Sequence, residues 1–295
     1  MCNNAHGVCN LADLTPDSLR NTVVRKEELS SVLTLLEISA PLIAQAAKAG
    51  QFVIVYMGEG GERIPLTISD SNAEKGTITI IFQKVGKSTL QLGDFKVGDI
   101  IEGVVGPLGK PTDVKNYGTV VVIGGGVGTA IAMPVAKAFA AAGNHLITIL
   151  GAREKSLIIL EDEMKASADE FYVTTDDGSY GRKGLVTDEL KDLLESRKID
   201  LVFAVGPLPM MKFVSKTTEP YNVQTIVSLD ALMIDGTGMC GGCRVTVGGK
   251  TMFACVDGPD FDGHKVDWEE LALRKRFYFN EEQKAKAKFL GGGEK

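Results

Sequence analysis

The sequence predicts a chain of mixed α/β and β class, with an antiparallel β-barrel, then a doubly wound parallel sheet, then a small C-terminal module. Three observations carry this. Short β-rich runs recur between turn residues from Thr22 to Gly109. From Thr119 to Ser228 strand-like runs alternate with helical ones, the grammar of a doubly wound sheet. Asp235 to Cys255 then sets three cysteines and a carboxylate among glycines. The boundaries fall at 1–21 (an extension), 22–112, 113–228 and 229–295.

In the first part the predicted strands are Val32–Ile38, Phe52–Tyr56, Thr77–Gln83 and Ile100–Val105. Pro41 to Lys48 reads as a turn or two of helix, and Gly106-Pro107-Leu108-Gly109 closes the barrel. Three stretches can meet a dinucleotide, that closing turn and two others. Arg63-Ile64-Pro65-Leu66-Thr67 brings a guanidinium that suits a diphosphate and a hydroxyl beside it. Gly86-Lys87-Ser88-Thr89 brings a glycine, backbone N–H groups and hydroxyls. A nucleotide-hydrolase phosphate loop is excluded there, because its first glycine position holds Ile81. Each stretch taken alone is more often a surface turn than a site.

Thr119-Val120-Val121-Val122-Ile123 is a buried parallel-type strand. It meets Gly124-Gly125-Gly126-Val127-Gly128-Thr129 and an Ala-rich helix running to Ala142. Strands at His145–Leu150, Phe171–Thr174 and Leu201–Val205 and helices at Leu157–Ala166 and Val186–Ser196 follow. The glycine loop can bring backbone against a pyrophosphate at a helix N-terminus. Asp177, Gly178, Gly206, Pro207 and Met210 stand after later strands, where a doubly wound sheet binds its ligand. The second strand ends at Arg153-Glu154. Arg153 and Arg182 suit a 2′-phosphate and Glu154 a ribose hydroxyl, so NAD(H) and NADP(H) both stay open.

The C-terminal stretch reads Asp235-Gly236-Thr237-Gly238-Met239-Cys240-Gly241-Gly242-Cys243, with Cys255 beyond. It keeps the C-x4-C-x2-C…C spacing of plant-type 2Fe–2S ferredoxins, with aspartate in the first place. Thiolates and a carboxylate are both anionic ligands for iron, and glycines let a loop wrap closely and aim N–H groups at sulfur. Other readings remain. A redox dithiol usually opens a helix, yet β-type residues follow here. A zinc ribbon needs a second C-x2-C. Asp235-Gly236 alone can make a turn.

The chain's 295 residues are 44% hydrophobic and 24% charged, with a net charge of −6 and five cysteines. The negative charge argues against nucleic acid. The cysteines form no disulfide framework and no leader precedes them, so a reducing, cytoplasmic setting is expected. Tyr117 to Gly143 is apolar but interrupted by glycines and Lys137, which disfavours a membrane span. Cys2 and Cys9 sit in the extension, without a pattern that gives them a role.

In this order, the barrel, the Gly124–Thr129 loop, Thr175-Asp176-Asp177-Gly178-Ser179-Tyr180-Gly181 and Gly206-Pro207-Leu208-Pro209-Met210-Met211 resemble the ferredoxin–NADP reductase superfamily. With the cysteine stretch, residues 22–290 are similar to its branch of electron-transfer subunits. That branch includes those of dihydroorotate dehydrogenase and the small subunits of NADH-dependent ferredoxin:NADP oxidoreductases. The resemblance implies FAD between barrel and sheet, NAD(H) at the sheet, and one 2Fe–2S cluster on Asp235, Cys240, Cys243 and Cys255. It also implies a larger flavin and iron–sulfur subunit as partner, with ferredoxin reached through it. The superfamily's R-x-Y-S flavin motif is altered: Thr67 takes the hydroxyl place, Leu66 replaces the aromatic, and Arg63 stands one residue early. Aspartate in the first ligand place favours the ferredoxin:NADP branch. The tail from Asp267 to Leu290 is expected to be helical, either covering the cluster module or docking a partner. A free-standing NAD(P)H reductase and a non-enzymatic redox sensor are the readings from other classes.

Overall fold

A computed structural model describes residues 20–58 and 61–291; Cys2 and Cys9 lie outside them. The first part contains β1 (Val23–Glu28), β2 (Leu33–Ser39), α1 (Pro41–Ala46), β3 (Phe52–Tyr56), β4 (Arg63–Asn72), β5 (Thr77–Gln83), α2 (Lys87–Gly93) and β6 (Gly103–Leu108). Its six strands are ordered β1-β2-β5-β4-β3-β6 and every pairing is antiparallel. A bridge between Thr22 and Ile100 brings the two ends together. Alternation sends Val53, Val55, Ile78 and Ile80 inward with Leu36 and Ile38. The outward-facing Phe52 and Ile54 join the core of the next domain.

The second part contains β7 (Thr119–Gly125), α3 (Gly128–Ala141), β8 (His145–Ala152), α4 (Glu161–Ser167), β9 (Glu170–Thr175), β10 (Arg182–Lys183), α5 (Val186–Ser196), β11 (Leu201–Val205), α6 (Leu208–Thr218) and β12 (Gln224–Ser228). These strands run parallel. β7 and β11 are buried on both faces, as their β-branched runs require. On α5, Val186, Leu190, Leu193 and Leu194 form one buried stripe, and Asp188 and Glu189 sit in its first turn, where the helix dipole favours them. The sheet order β9-β8-β7-β11-β12 reverses direction between β7 and β11. In a doubly wound sheet that reversal opens the ligand crevice.

The third part contains β13 (Arg244–Val247), β14 (Lys250–Phe253), β15 (Asp260–Asp262), α7 (Trp268–Arg274) and α8 (Phe279–Leu290). It shares its interior with the sheet domain: Cys243, Val245, Ala254, Cys255 and Leu271 are buried in one core with Val121, Ile123, Val202 and Val227. β15 pairs antiparallel with β12 and completes a seven-stranded sheet. The stretch after Ser228 therefore finishes the nucleotide sheet as well as carrying the cysteines.

Several elements differ from expectation. β1 and β4 were not foreseen, since charged and polar residues dominate both runs. Pro65 sits inside β4 without loss, because the half containing it pairs only with β3 and the pairing with β5 begins at Ile68. β6 starts at Gly103, as Ile100 serves the closing bridge. The expected helix at Leu157–Ala166 begins at Glu161, after a 3-10 turn at Lys155–Leu157 and Leu160 at φ +54°. The tail forms two helices: α7 packs on β13, and α8 reaches the barrel helix α2.

Asp260 ties the three parts together. Its Oδ2 accepts from Thr112 Oγ1 at 2.6 Å, Ser228 bonds it from β12, and its Oδ1 is shut off without a partner. Burial pushes this carboxyl up to about 6, against the lowering effect of the Thr112 and Ser228 bonds. A carboxyl whose folded pKa is raised holds its proton more tightly when folded, so its ionisation takes stability away as pH climbs from the unfolded value towards 6. Between pH 4 and pH 7 the parent should lose about 2 kcal/mol more unfolding free energy than Asp260→Asn. Denaturant titrations of both proteins at the two pH values check this; parallel pH profiles would contradict it.

Candidate functional site

The carboxyl edge of the parallel sheet gathers the expected nucleotide-binding loops. Gly124 is in register with Val205, and Gly125 with Gly151, which pairs in turn with Thr174. The loops after β7, β8, β9 and β11 thus open on one side. At the switch point the backbone is crowded. A Cβ on Gly128 would lie 2.4 Å from the carbonyl oxygen of Val205, and one on Gly125 would lie 2.4 Å from Met210 Sδ and 3.1 Å from Pro207 Cδ. Pro207 and Met210 therefore pack directly on the glycine loop, and Thr129 is buried under Gly124. Gly126 is the contrast: its φ is +56° and a Cβ there would meet nothing within 4 Å. Its N–H donates to Gly151 O at 2.9 Å, which holds the loop across β7 and β8. Val127 stands at the N-cap of α3. That helix supplies the first-turn N–H groups and positive dipole end that favour a phosphate.

Arg153 and Asp177 meet on this edge, with Asp177 N–H donating to Arg153 O at 3.2 Å. The Asp177 carboxylate accepts from Ser179 N–H at 2.9 Å and Ser179 Oγ at 2.7 Å, and these bonds lower its pKa. Gly178 makes the turn at φ +79°. Arg182 is not on offer to a 2′-phosphate. Its guanidinium binds Glu189 at 2.9 Å and Asp192 at 2.7 Å. Arg153 makes no ion pair among the described residues.

On the barrel, Arg63, Pro65 and Thr67 share one face of β4, while Ile64 and Leu66 pack into the barrel core. Leu66 is thus separated from Arg63 and Thr67, as strand alternation requires. Arg63 is exposed, lies 5.8 Å over the Tyr56 ring and forms no ion pair among the described residues. Gly86 to Thr89 start the seven-residue helix α2. The Thr89 hydroxyl is taken by Val85 and Gly86 N–H, each at 3.0 Å, and buried Ser88 donates to Glu62, next to Arg63. That last bond brings the two separately read stretches together. A Cβ on Gly86 would meet nothing within 4 Å. An unpaired guanidinium, a half-strand open on one edge and an open glycine fit a flavin dinucleotide's diphosphate. Helix α3 packs against β4, and Ala130 joins Leu33, Leu35 and Ile81 of the barrel in one apolar cluster. The glycine loop and the Arg63–Thr67 strand consequently face a common junction.

The cysteine loop is seated on the barrel. A Cβ on Gly236 would lie 2.8 Å from both Ile54 Cγ1 and Leu108 Cδ1, and Gly236, Gly238 and Gly241 have φ of +82°, +88° and +65°. Only glycine adopts these angles without strain. Cys243 and Cys255 are buried with their sulfurs 3.1 Å apart, longer than a disulfide of about 2.05 Å. Gly242 N–H points at Cys240 Sγ at 3.4 Å, and Cys255 N–H at Cys243 Sγ at 3.5 Å. Asp235 Oδ2 accepts from Thr237 N–H at 3.0 Å, Thr237 Oγ1 at 2.7 Å and Met239 N–H at 3.1 Å, and the Thr237 side-chain bond leads in lowering its pKa. Burial first, then the Cys243 bond, pushes the Cys255 thiol up to about 12. A bound cation reverses that balance and deprotonates a thiol. Among the described residues no three potential ligands converge at metal distance. The donor set of three thiols and a carboxylate, with N–H groups aimed at sulfur, nevertheless suits iron.

The iron–sulfur cluster binding domain of dihydroorotate dehydrogenase B matches residues 230–267, and the oxidoreductase NAD-binding domain matches residues 122–216. A Thermotoga maritima homolog of the dihydroorotate dehydrogenase B (NAD(+)) electron transfer subunit is 47% identical, over 92% of this chain and 95% of its own. The chain belongs to the dihydroorotate dehydrogenase B electron-transfer subunit family. The Geobacillus thermodenitrificans subunit of that enzyme is 33% identical over 84% of this chain and 97% of its own. A solved NADH-dependent reduced ferredoxin-NADP oxidoreductase, described for flavin-based electron bifurcation, matches at a TM-score of 0.88 and 45% identity. It covers 92% of this chain and 98% of that one. The Amycolatopsis cytochrome P450 reductase, 22% identical at a TM-score of 0.57, shares the fold. The expected iron–sulfur and NAD-binding parts are thus both present, within the expected superfamily. No helix among the described residues is long and apolar enough to cross a membrane.

Two glycine variants separate a nucleotide cradle from a mere turn. Gly128→Ala drives a methyl into backbone and should cost about 1–3 kcal/mol, visible as a lower Tm. Gly126→Ala meets no protein atom and should cost about 1 kcal/mol for its left-handed φ. Yet it should weaken NADH binding at least tenfold in a fluorescence titration, because its methyl enters the cradle. NADH affinity unchanged in Gly126→Ala would contradict the assignment.

Proposed function

We propose that this chain takes electrons from NADH at the sheet's switch point and passes them singly, through the cysteine loop, to a larger flavin and iron–sulfur subunit. The observation that carries this reading is the seating of that loop. Gly236 rests on barrel residues Ile54 and Leu108, while Cys243 and Cys255 share the sheet domain's core. The outlet is therefore built against both the barrel and the nucleotide domain.

When bound, FAD supplies hydride acceptance and a 2Fe–2S cluster supplies one-electron carriage. The protein's work is placement. The Gly126–Thr129 loop receives the NADH pyrophosphate at the positive end of α3, through Val127 and Gly128 N–H rather than the Gly126 and Thr129 N–H groups, which bond Gly151 O and Gly126 O, with Pro207 and Met210 fixing the loop from the β11 side. Arg153, Asp177 and Gly178 line the nucleotide's far end. Arg63 pairs with the flavin diphosphate beside Gly86, Lys87 and Ser88, and Pro65 and Thr67 face the same side of β4. Asp235, Cys240, Cys243 and Cys255 would hold the two irons, their thiolates and carboxylate supplying the anionic ligands. Hydride transfer needs position more than proton traffic, so no acid–base residue is assigned. Arg182 is held by two carboxylates, so one guanidinium fewer is available to a 2′-phosphate, and NADH is the preferred donor.

Anaerobic titration of the loaded protein with NADH, followed by absorbance and paramagnetic resonance, tests this. Flavin bleaching together with a reduced-cluster signal is expected, faster with NADH than with NADPH in stopped flow. A cluster that dithionite reduces and NADH does not would overturn the electron path. Purification from the native host should yield a heteromer with a larger flavin and iron–sulfur polypeptide; a catalytically complete monomer there would count against the subunit role.

A further inference from the structure

Two guanidiniums bracket the Cys240–Cys243 loop. Arg274, at the end of α7, donates from Nη2 to Gly242 O at 3.1 Å and is half-buried. Arg244 directly follows Cys243, and its Nη1 lies 3.1 Å from where a Cβ on Gly241 would stand. Neither forms an ion pair among the described residues; Arg274 rests 5.9 Å from the Phe277 ring, and Arg244 is exposed. Two acids that flank the loop in sequence are already engaged. Asp230 is bound by Lys275, and Asp257 accepts from Phe253 N–H at 2.8 Å and faces Lys110 at 3.9 Å. Each of the two central residues of the C-x2-C turn thus has beside it a guanidinium that forms no ion pair among the described residues.

We infer that Arg274 and Arg244 are positioning residues that raise the reduction potential of the cluster this loop holds. The inference rests on the iron–sulfur reading above. Three thiolates and a carboxylate give such a site net negative charge, and an added electron increases it. A fixed cation therefore favours the reduced state, and net charge and hydrogen bonding are the levers that set these potentials. Arg274 is the stronger of the two, because it is partly buried and its bond to Gly242 O fixes its place. Arg244 is exposed and screened by salt. The step itself is the uptake of one electron, with no bond made or broken in the protein. Both residues turn the cluster into a sink at the end of the path, drawing electrons out of the barrel–sheet junction.

The experiment is a dithionite titration of the full loaded chain, with the cluster followed by paramagnetic resonance and iron measured in each sample. In Arg274→Gln the ratio of oxidised to reduced cluster at a fixed potential should rise about tenfold, equivalent to about 59 mV more negative for one electron. Arg274→Lys keeps the charge and should stay near the parent, whereas a purely structural role would make Lys and Gln alike. Arg244→Gln should shift in the same direction by less, and its shift should shrink as ionic strength rises. Full iron with unchanged potentials in both Gln variants, or a shift to more positive values, would overturn the inference. Should Arg274→Gln lose iron, Arg244→Gln carries the test with the same signs, since its guanidinium donates no bond to the loop. A parent chain without iron or a cluster signal would instead overturn the iron–sulfur reading, a result distinct from unchanged potentials.

Discussion

The contact of Gly236 with Ile54 and Leu108 is the constraint on which the arrangement depends. There is no space for a side chain at that point, and the backbone takes a φ of +82° to pass through. The loop with Asp235, Cys240 and Cys243 is thereby held against the barrel, while β13 and β14 bury Cys243 and Cys255 in the core of the sheet domain. Lys110 N–H donating to Gly258 O at 2.7 Å and Asp260 bridging Thr112 and Ser228 close the same junction from the other side. An electron carrier on a separate, mobile tail would sample many distances from its donor. Here one apolar cluster takes residues from all three parts, Phe52 and Ile54 coming from the barrel, and the carrier's place is set by packing.

The sheet's geometry follows from equally local causes. Gly125, Gly128 and Gly206 allow the β7–α3 and β11–α6 turns to touch, and Met210 and Pro207 fill the space that side chains would otherwise need. Gly126 alone opens outward. A run of glycines thus separates into packing positions and one open position, a distinction set by neighbours on a different strand.

How much of this was legible in the sequence depended on the kind of pattern. β3, β5, β11 and α5 lie where apolar runs or a helical stripe placed them, because burial on one or both faces writes itself into composition. β1 and β4 carry charges on their outer faces and escaped that logic, and β15 is three residues long with two aspartates. The aspartate and three cysteines stood out together by their spacing, which on its own left a dithiol, a zinc site and a simple turn open beside a cluster. Arg63 and Gly86 were readable only singly, since the Ser88–Glu62 bond that brings their stretches together joins residues far apart in sequence. Arg182 was misread as available because its partners, Glu189 and Asp192, lie on the following helix. Arg244 offered a signal by standing next to Cys243. Arg274 offered none, for nothing in the tail's pattern shows that α7 ends on the loop.

The central claim is that this loop holds a two-iron cluster in a flavin-bearing chain, and metal and flavin analysis of anaerobically purified protein tests it most directly. About two irons per flavin are predicted, from the two-iron stoichiometry of such a cluster. Zinc in place of iron, or flavin without iron, would contradict it.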